Sequence, residues 1–209
     1  MNSTEKPAVN FIKSIAVFCG SSDSNDEFIY SQAYELGRSL ANKNIDLVYG
    51  GSKLGLMGQV AKGALENDGL AFGVIPEFLK TKEIVHRELT ELITTQDMHE
   101  RKLKMHEMSD GFIMLPGGFG TFEEFFEILT WAQLGLHQKP IGVLNTEGYY
   151  NDLLMMFNNM VTKGLLKKEN LDLVLVSDSV EILLDKMHAY ESKIETKWLT
   201  NNRRFGECC

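Results

Sequence analysis

Cysteine is scarce in this chain, and so is positive charge. Only three cysteines occur in 209 residues, Cys19, Cys208 and Cys209. That is too few for a disulfide framework, and their spacing suits no zinc site, so a reducing, cytoplasmic setting is expected. No apolar run approaches the ~20 residues of a membrane span, and residues 1–10 are polar, without the apolar core of a signal peptide. Lys and Arg number 21 against 29 Asp and Glu, giving a net charge of −8. Such an acidic chain offers no broad face to nucleic acid or to an anionic membrane. A local pocket for a single phosphate is still compatible with it. There is no internal repeat, no low-complexity tract and no linker.

What remains is ordinary for a soluble globule: 44% hydrophobic and 24% charged residues. The length suits one well-buried domain. Short apolar runs at 14–19, 45–49, 70–75, 111–115, 141–144 and 173–176 read as buried strands. Helical periodicity falls between them, at about 27–42, 55–66, 97–109, 121–136, 148–163 and 180–190. Residues 77–96 are weakly periodic and read as a long loop with short helical turns bordering a site. Residues 1–12 are expected to form a loose arm, 13–190 the domain, and 191–209 a tail. Strands alternating with helices predict an α/β fold: a Rossmann-like, doubly wound parallel sheet with helices on both faces, in the order 3-2-1-4-5-6. In that order the first and fourth strands are neighbours whose connections leave in opposite directions. The loops after them therefore flank the crevice where such folds bind ligands.

The loop after the fourth of these runs is Pro116-Gly117-Gly118-Phe119-Gly120-Thr121-Phe122-Glu123-Glu124. Glycines let the backbone approach a ligand closely, and the helix that follows presents unpaired N–H groups and a partial positive charge. This is the physics of a phosphate cradle. The same residues also spell a capping box, with Thr121 at the N-cap and Glu124 satisfying a backbone N–H. Two further small-residue turns, Gly20-Ser21-Ser22 and the turn from Gly50-Gly51 to Gly55, reach the same sheet edge, which favours a phosphate-bearing ligand. Glu124 would then lie where the sugar of a nucleotide begins. A carboxylate there can stabilise a cationic ribosyl transition state, act as nucleophile or activate water. Arg101 and Lys102 lie on the preceding helix, where a solvated face is the plainer reading. An arginine cannot serve as a general acid, but it can hold a substrate. His99 reads as a helix-surface histidine, and Trp131 as core or dimer contact.

The nine residues 116–124 resemble the PGGxGTxxE signature of the LOG ("lonely guy") family, the cytokinin riboside 5′-monophosphate phosphoribohydrolases once mislabelled lysine decarboxylases. The similarity extends over about 12–190 and includes Val17-Phe18-Cys19-Gly20-Ser21-Ser22, Tyr49-Gly50-Gly51, Gly55-Leu56-Met57-Gly58, Met98-His99-Glu100-Arg101-Lys102 and Thr130-Trp131-Ala132-Gln133-Leu134-Gly135. It implies hydrolysis of the N-glycosidic bond of AMP or its N6-prenylated relatives to free base and ribose 5-phosphate. It also implies a catalytic pair at Arg101 and Glu124, and substrate contacts from Lys102, Gly51 and Glu83. Gly117, Gly118, Gly120 and Thr121 would form the phosphate loop, helped by Ser21 and Ser22. No metal or organic cofactor is implied, and a homodimer is. The chain departs from the family at Ser52 and Lys53, where a glycine and a small residue are usual, and in 77–96. The rival readings are a nucleotide-binding carrier or sensor without turnover, and a lysine decarboxylase, which would need pyridoxal phosphate on a lysine.

Overall fold

The computed structural model describes residues 11–80, 85–86 and 88–192. Seven parallel strands form one sheet in the order β4-β3-β2-β1-β5-β6-β7. They are β1 (Ser14–Phe18), β2 (Asp46–Tyr49), β3 (Ala71–Pro76), β4 (Glu91–Thr95), β5 (Gly111–Met114), β6 (Ile141–Leu144) and β7 (Val174–Ser177). The helices are α1 (Glu27–Asn42), α2 (Gly55–Leu65), α3 (Glu77–Lys80), α4 (Met98–Met108), α5 (Phe119–Gln133), α6 (Asn151–Thr162) and α7 (Val180–His188), with 3-10 turns at Thr146–Gly148 and Lys168–Leu173.

The doubly wound parallel fold expected from the sequence is present, with one strand more than expected. The added strand is β4, inside the stretch read as a long loop. It lies at the sheet edge, pairs with β3 from Phe72↔Glu91 to Pro76↔Thr95, and leaves most of its residues partly exposed. The short helix α3 begins the same stretch.

Period-two alternation sends each central strand to two cores. Ile15, Val17 and Cys19 join Leu47, Tyr49, Ile113 and Leu115 under α1, α2 and α7. Ala16 and Phe18 join Val48, Phe112 and Met114 under α4, α5 and α6. The helix starts follow their caps. Asp26 accepts from Phe28 N–H and Ile29 N–H, Asp97 from Glu100 N–H, and Ser179 from Ile182 N–H. β1 pairs with β2 on one side and β5 on the other, so the switch point lies between β1 and β5.

Two histidines, His106 on α4 and His137 after α5, are buried together. The His106 ring stacks on Phe112 at 5.7 Å, meets Trp131 edge-on at 5.3 Å and lies 5.2 Å from the His137 ring. His137 Nε2 bonds the Ile128 carbonyl, and Lys139 Nζ donates to the His106 carbonyl. Burial, with the neighbouring Lys139 charge, pushes His106 down to about 3 and His137 to about 4. Both rings are neutral in the fold and protonate near pH 6.5 once unfolded, so the stability they contribute is complete above that pH and is lost as pH falls toward 4. The melting temperature is expected to drop across this window. His106→Phe, which keeps the ring contacts, should flatten the drop when melting is followed against pH. An unchanged slope would place the acid sensitivity elsewhere.

Candidate active site

At the C-terminal ends of β1 and β5 lies a cleft of about 530 Å³, within the ~300–1,000 Å³ usual for small-molecule sites. One wall is the loop after β1, Cys19 to Ser24. The other is the loop after β5 with the first turns of α5, where Gly117, Gly118, Phe119, Gly120 and Thr121 line the space. Gly50, Leu56 and Met57 close one side, Leu79 and Tyr149 also contribute, and Arg101 and Glu124 line it as well.

Arg101 and Glu124 form a buried ion pair. Arg101 Nη1 donates to Glu124 Oε1 at 2.8 Å, with 8% and 6% of the two side chains exposed. Arg101 Nε donates to the Val74 carbonyl at 3.0 Å, so the guanidinium bridges β3 and α5 from its place on α4. Gly50 makes room for it, since a Cβ there would stand 2.5 Å from Arg101 Nη2. Burial raises the Glu124 carboxyl above its ordinary range, and the adjacent Arg101 charge opposes that rise. The solvated-face reading of Arg101 is thereby set aside. His99 is exposed and Trp131 packs against the core, as expected.

The capping-box reading fails on geometry. Helix α5 begins at Phe119 with Gly118 as its N-cap and no side-chain cap bond. Thr121 is therefore inside the first turn, buried, and Glu124 is a turn further on. The first N–H groups of α5 are left to the cleft or to solvent. An added Cβ at Gly118 or Gly120 would meet nothing within 4 Å, whereas one at Gly117 would collide with the Thr121 side chain and stand 2.8 Å from Gly20 N. The loop thus has close backbone packing at Gly117 and open space at Gly118 and Gly120.

Ser21, Ser22, Gly117, Gly118, Gly120 and Thr121 all reach the cleft as expected from the sequence. Two expected contacts do not. Gly51, at φ 80, turns away; its carbonyl accepts from His86 N–H at 3.1 Å, and Gly50 lines the cleft instead. Lys102 is not among the lining residues. Its ammonium bonds Glu123 at 2.5 Å and Glu127 at 3.0 Å across the α4–α5 seam. Burial pulls its pKa down, but the two carboxylates more than offset this and leave it raised. Glu83 lies outside the described residues. Sequence reasoning missed Tyr149, whose hydroxyl donates to the Gly117 carbonyl at 2.9 Å. The only sequence signal was an aromatic pair directly after a glycine turn. At the second glycine turn, Ser52 is fully buried and its Oγ accepts from Leu54 N–H, so the departure there is a local turn bond.

The sequence profile of a family described as "possible lysine decarboxylase" matches residues 57–187. The chain is 43% identical over 183 residues to cytokinin riboside 5′-monophosphate phosphoribohydrolase LOG1 of Arabidopsis thaliana, covering 88% of this chain and 86% of that one. It is 42% identical over 178 residues to a rice protein named probable cytokinin riboside 5′-monophosphate phosphoribohydrolase LOGL3, covering 85% and 84%. Among solved structures, a molybdenum cofactor binding protein from Rippkaea orientalis superposes with a TM-score of 0.62 at 24% identity, covering 88% and 96%. The molybdenum cofactor carrier protein of Chlamydomonas reinhardtii gives 0.61 at 23%, covering 85% and 98%. At these identities the structural likeness speaks for the fold alone.

The glycine geometry separates folding from binding. Gly120→Ala lies inside a helix and should hold or slightly raise the melting temperature, since alanine is favoured over glycine there by ~1 kcal/mol. Its methyl projects into open space of the cleft, so calorimetric binding of inorganic phosphate should weaken at least about tenfold, a ~1.4 kcal/mol effect. Gly117→Ala should instead lose ~1–3 kcal/mol of stability through overpacking. The opposite ranking of the two variants would overturn this assignment.

Proposed function

We propose, on the ground that the chain belongs to the LOG family of phosphoribohydrolases, that it hydrolyses the N-glycosidic bond of purine nucleoside 5′-monophosphates, AMP or its N6-substituted relatives. The observation that carries this reading is the buried Arg101–Glu124 pair set in the same cleft as an uncapped helix N-terminus. A phosphate at Gly117–Thr121 accepts backbone N–H bonds and meets the positive end of α5. Ser21 and Ser22 face it from the β1 loop. The ribose then extends toward Glu124.

In the reaction, the bond between C1′ and the base nitrogen breaks, and the electron pair leaves with the base. Positive charge develops over C1′ and the ring oxygen. The Glu124 carboxylate stabilises that charge or orients the attacking water. Water supplies hydroxyl to C1′, its remaining proton balances the departing base, and the products are free base and ribose 5-phosphate. Arg101, permanently charged, fixes the substrate and hydrogen-bonds the leaving base without donating a proton. Holding Glu124 against Arg101 keeps the carboxylate oriented before substrate arrives.

The decarboxylase description of the family profile would require a lysine amine on the cleft. Lys102, beside Arg101, is instead held by Glu123 and Glu127. The carrier or sensor reading uses the same cradle, and turnover distinguishes it. A homodimer is part of the proposal; it is supported by the partly covered Phe122, Phe126, Leu129 and Trp131 on α5. A cytoplasmic setting agrees with the low cysteine content. No helix among the described residues is long and apolar enough to cross a membrane.

Chromatography after incubation with AMP, isopentenyladenosine monophosphate, CMP and adenosine tests the reading. Free base is expected from the purine monophosphates and not from adenosine. Binding without release would favour the carrier. Glu124→Gln keeps the shape but removes the charge, and should lower kcat at least about a hundredfold; full activity would remove Glu124 from the chemistry. Activity should fail as pH drops and Glu124 protonates, at a pH above the ordinary glutamate pKa of about 4.3, because burial raises this group.

A further inference from the structure

The corner after β6 carries two adjacent tyrosines. Glu147 at φ 49 and Gly148 at φ 75 take left-handed conformations and turn the chain sharply. Asn145 Oδ1 accepts from Tyr150 N–H at 2.8 Å, and Asn145 Nδ2 donates to Asn151 Oδ1 at 2.9 Å. The two tyrosine rings meet edge to face at 4.9 Å. Tyr150 is buried, while Tyr149 is half-exposed and lines the cleft.

Each phenol donates to a carbonyl of the glycine loop. Tyr150 Oη reaches the Leu115 carbonyl at 2.6 Å, and Tyr149 Oη reaches that of Gly117 at 2.9 Å. Between them the Pro116 carbonyl accepts from Gly20 N–H at 3.1 Å. Three consecutive carbonyls are thus held. The described peptides are trans, and in a trans peptide the N–H points opposite to its C=O. Fixing the Pro116 and Gly117 carbonyls therefore fixes the Gly117 and Gly118 N–H groups. The Gly117–Gly118 peptide needs this most. Flanked by glycines, it rotates with little steric resistance, and a rotated peptide would present a carbonyl oxygen to an anion. The space beside Gly118 is open for a ligand.

We propose that Tyr149 is a positioning residue that locks the Gly117–Gly118 peptide with its N–H toward the 5′-phosphate, and so sets the preference for phosphorylated over unphosphorylated nucleosides. This rests on the phosphoribohydrolase reading above. The phenol acts through the loop and takes no part in breaking the glycosidic bond.

Tyr149→Phe keeps the ring and its contact with Tyr150 and removes only the donor. The expected result is a five- to tenfold rise in KM for AMP, about what one hydrogen bond gives, with kcat within about twofold. Inhibition by ribose 5-phosphate should weaken by the same factor, while inhibition by adenosine stays unchanged. Unchanged KM, or equal losses for both inhibitors, overturns the proposal, since general damage to the cleft would weaken both. If the wild-type protein releases no base, the phosphoribohydrolase reading falls, and Tyr149 is judged by calorimetric binding of ribose 5-phosphate. There, weaker binding by Tyr149→Phe supports the lock; equal affinities, or no binding by wild type, overturn it.

Discussion

The cleft is organised around one buried charge pair, Arg101 with Glu124. Removing Arg101 and Glu124 from water is costly, and their attraction offsets that cost only while the geometry is held. The surroundings supply that geometry. The Val74 carbonyl fixes Arg101 Nε from the end of β3, Gly50 leaves the guanidinium its room, and Lys102 with Glu123 and Glu127 clamps α4 to α5 one residue away. Hydrophobic residues of similar volume would often serve stability as well as such a pair. Its presence at the cleft therefore argues for chemistry rather than for folding.

The fold itself is neutral about function. The same topology occurs in a molybdenum cofactor binding protein and a molybdenum cofactor carrier protein, and a parallel sheet opens a crevice at its switch point whatever it binds. What distinguishes this chain is which side chains stand in the crevice. Two walls bring small residues, one of them with the uncapped first turn of α5; Arg101 and Glu124 add a guanidinium and a carboxylate to the lining. The tyrosine corner after β6 lines the cleft with Tyr149 and holds the glycine-loop wall through its two phenol hydrogen bonds.

Much of this was legible in the sequence, and the reasons are local. The central strands are short apolar runs bounded by glycine or proline, and Asp97 and Ser179 mark helix starts by their side chains. The glycine loop and its place after β5 followed from topology. What was not legible depends on contacts distant in sequence. The strand β4 carries two threonines and a glutamate on a half-exposed edge, so neither alternation nor hydrophobicity marks it. Glu124 looked like a cap because Thr121 precedes it by three; its true partner lies 23 residues upstream on another helix. Lys102 was expected in the site together with Arg101 through the resemblance to the LOG family, but neighbouring residues on a helix point about 100° apart, and here its ammonium turns to Glu123 and Glu127. Tyr149 acts on the loop across 32 residues, a relation that no periodicity reveals.

The place of β1 in the middle of the sheet bears on how the protein is made. Ser14 N–H reaches Asp110 Oδ2 across 96 residues, and β1 supplies one wall of the cleft while β5 supplies the other. A chain still emerging from the ribosome holds its first serine loop long before any opposing wall exists. Contacts so distant in sequence close slowly, because loop-closure entropy is lost before they form. The tyrosine corner follows later still in synthesis. The cleft is therefore completed in stages, its second wall only once β5 and α5 have been made and the hold on the Gly117 carbonyl only once Tyr149 has followed.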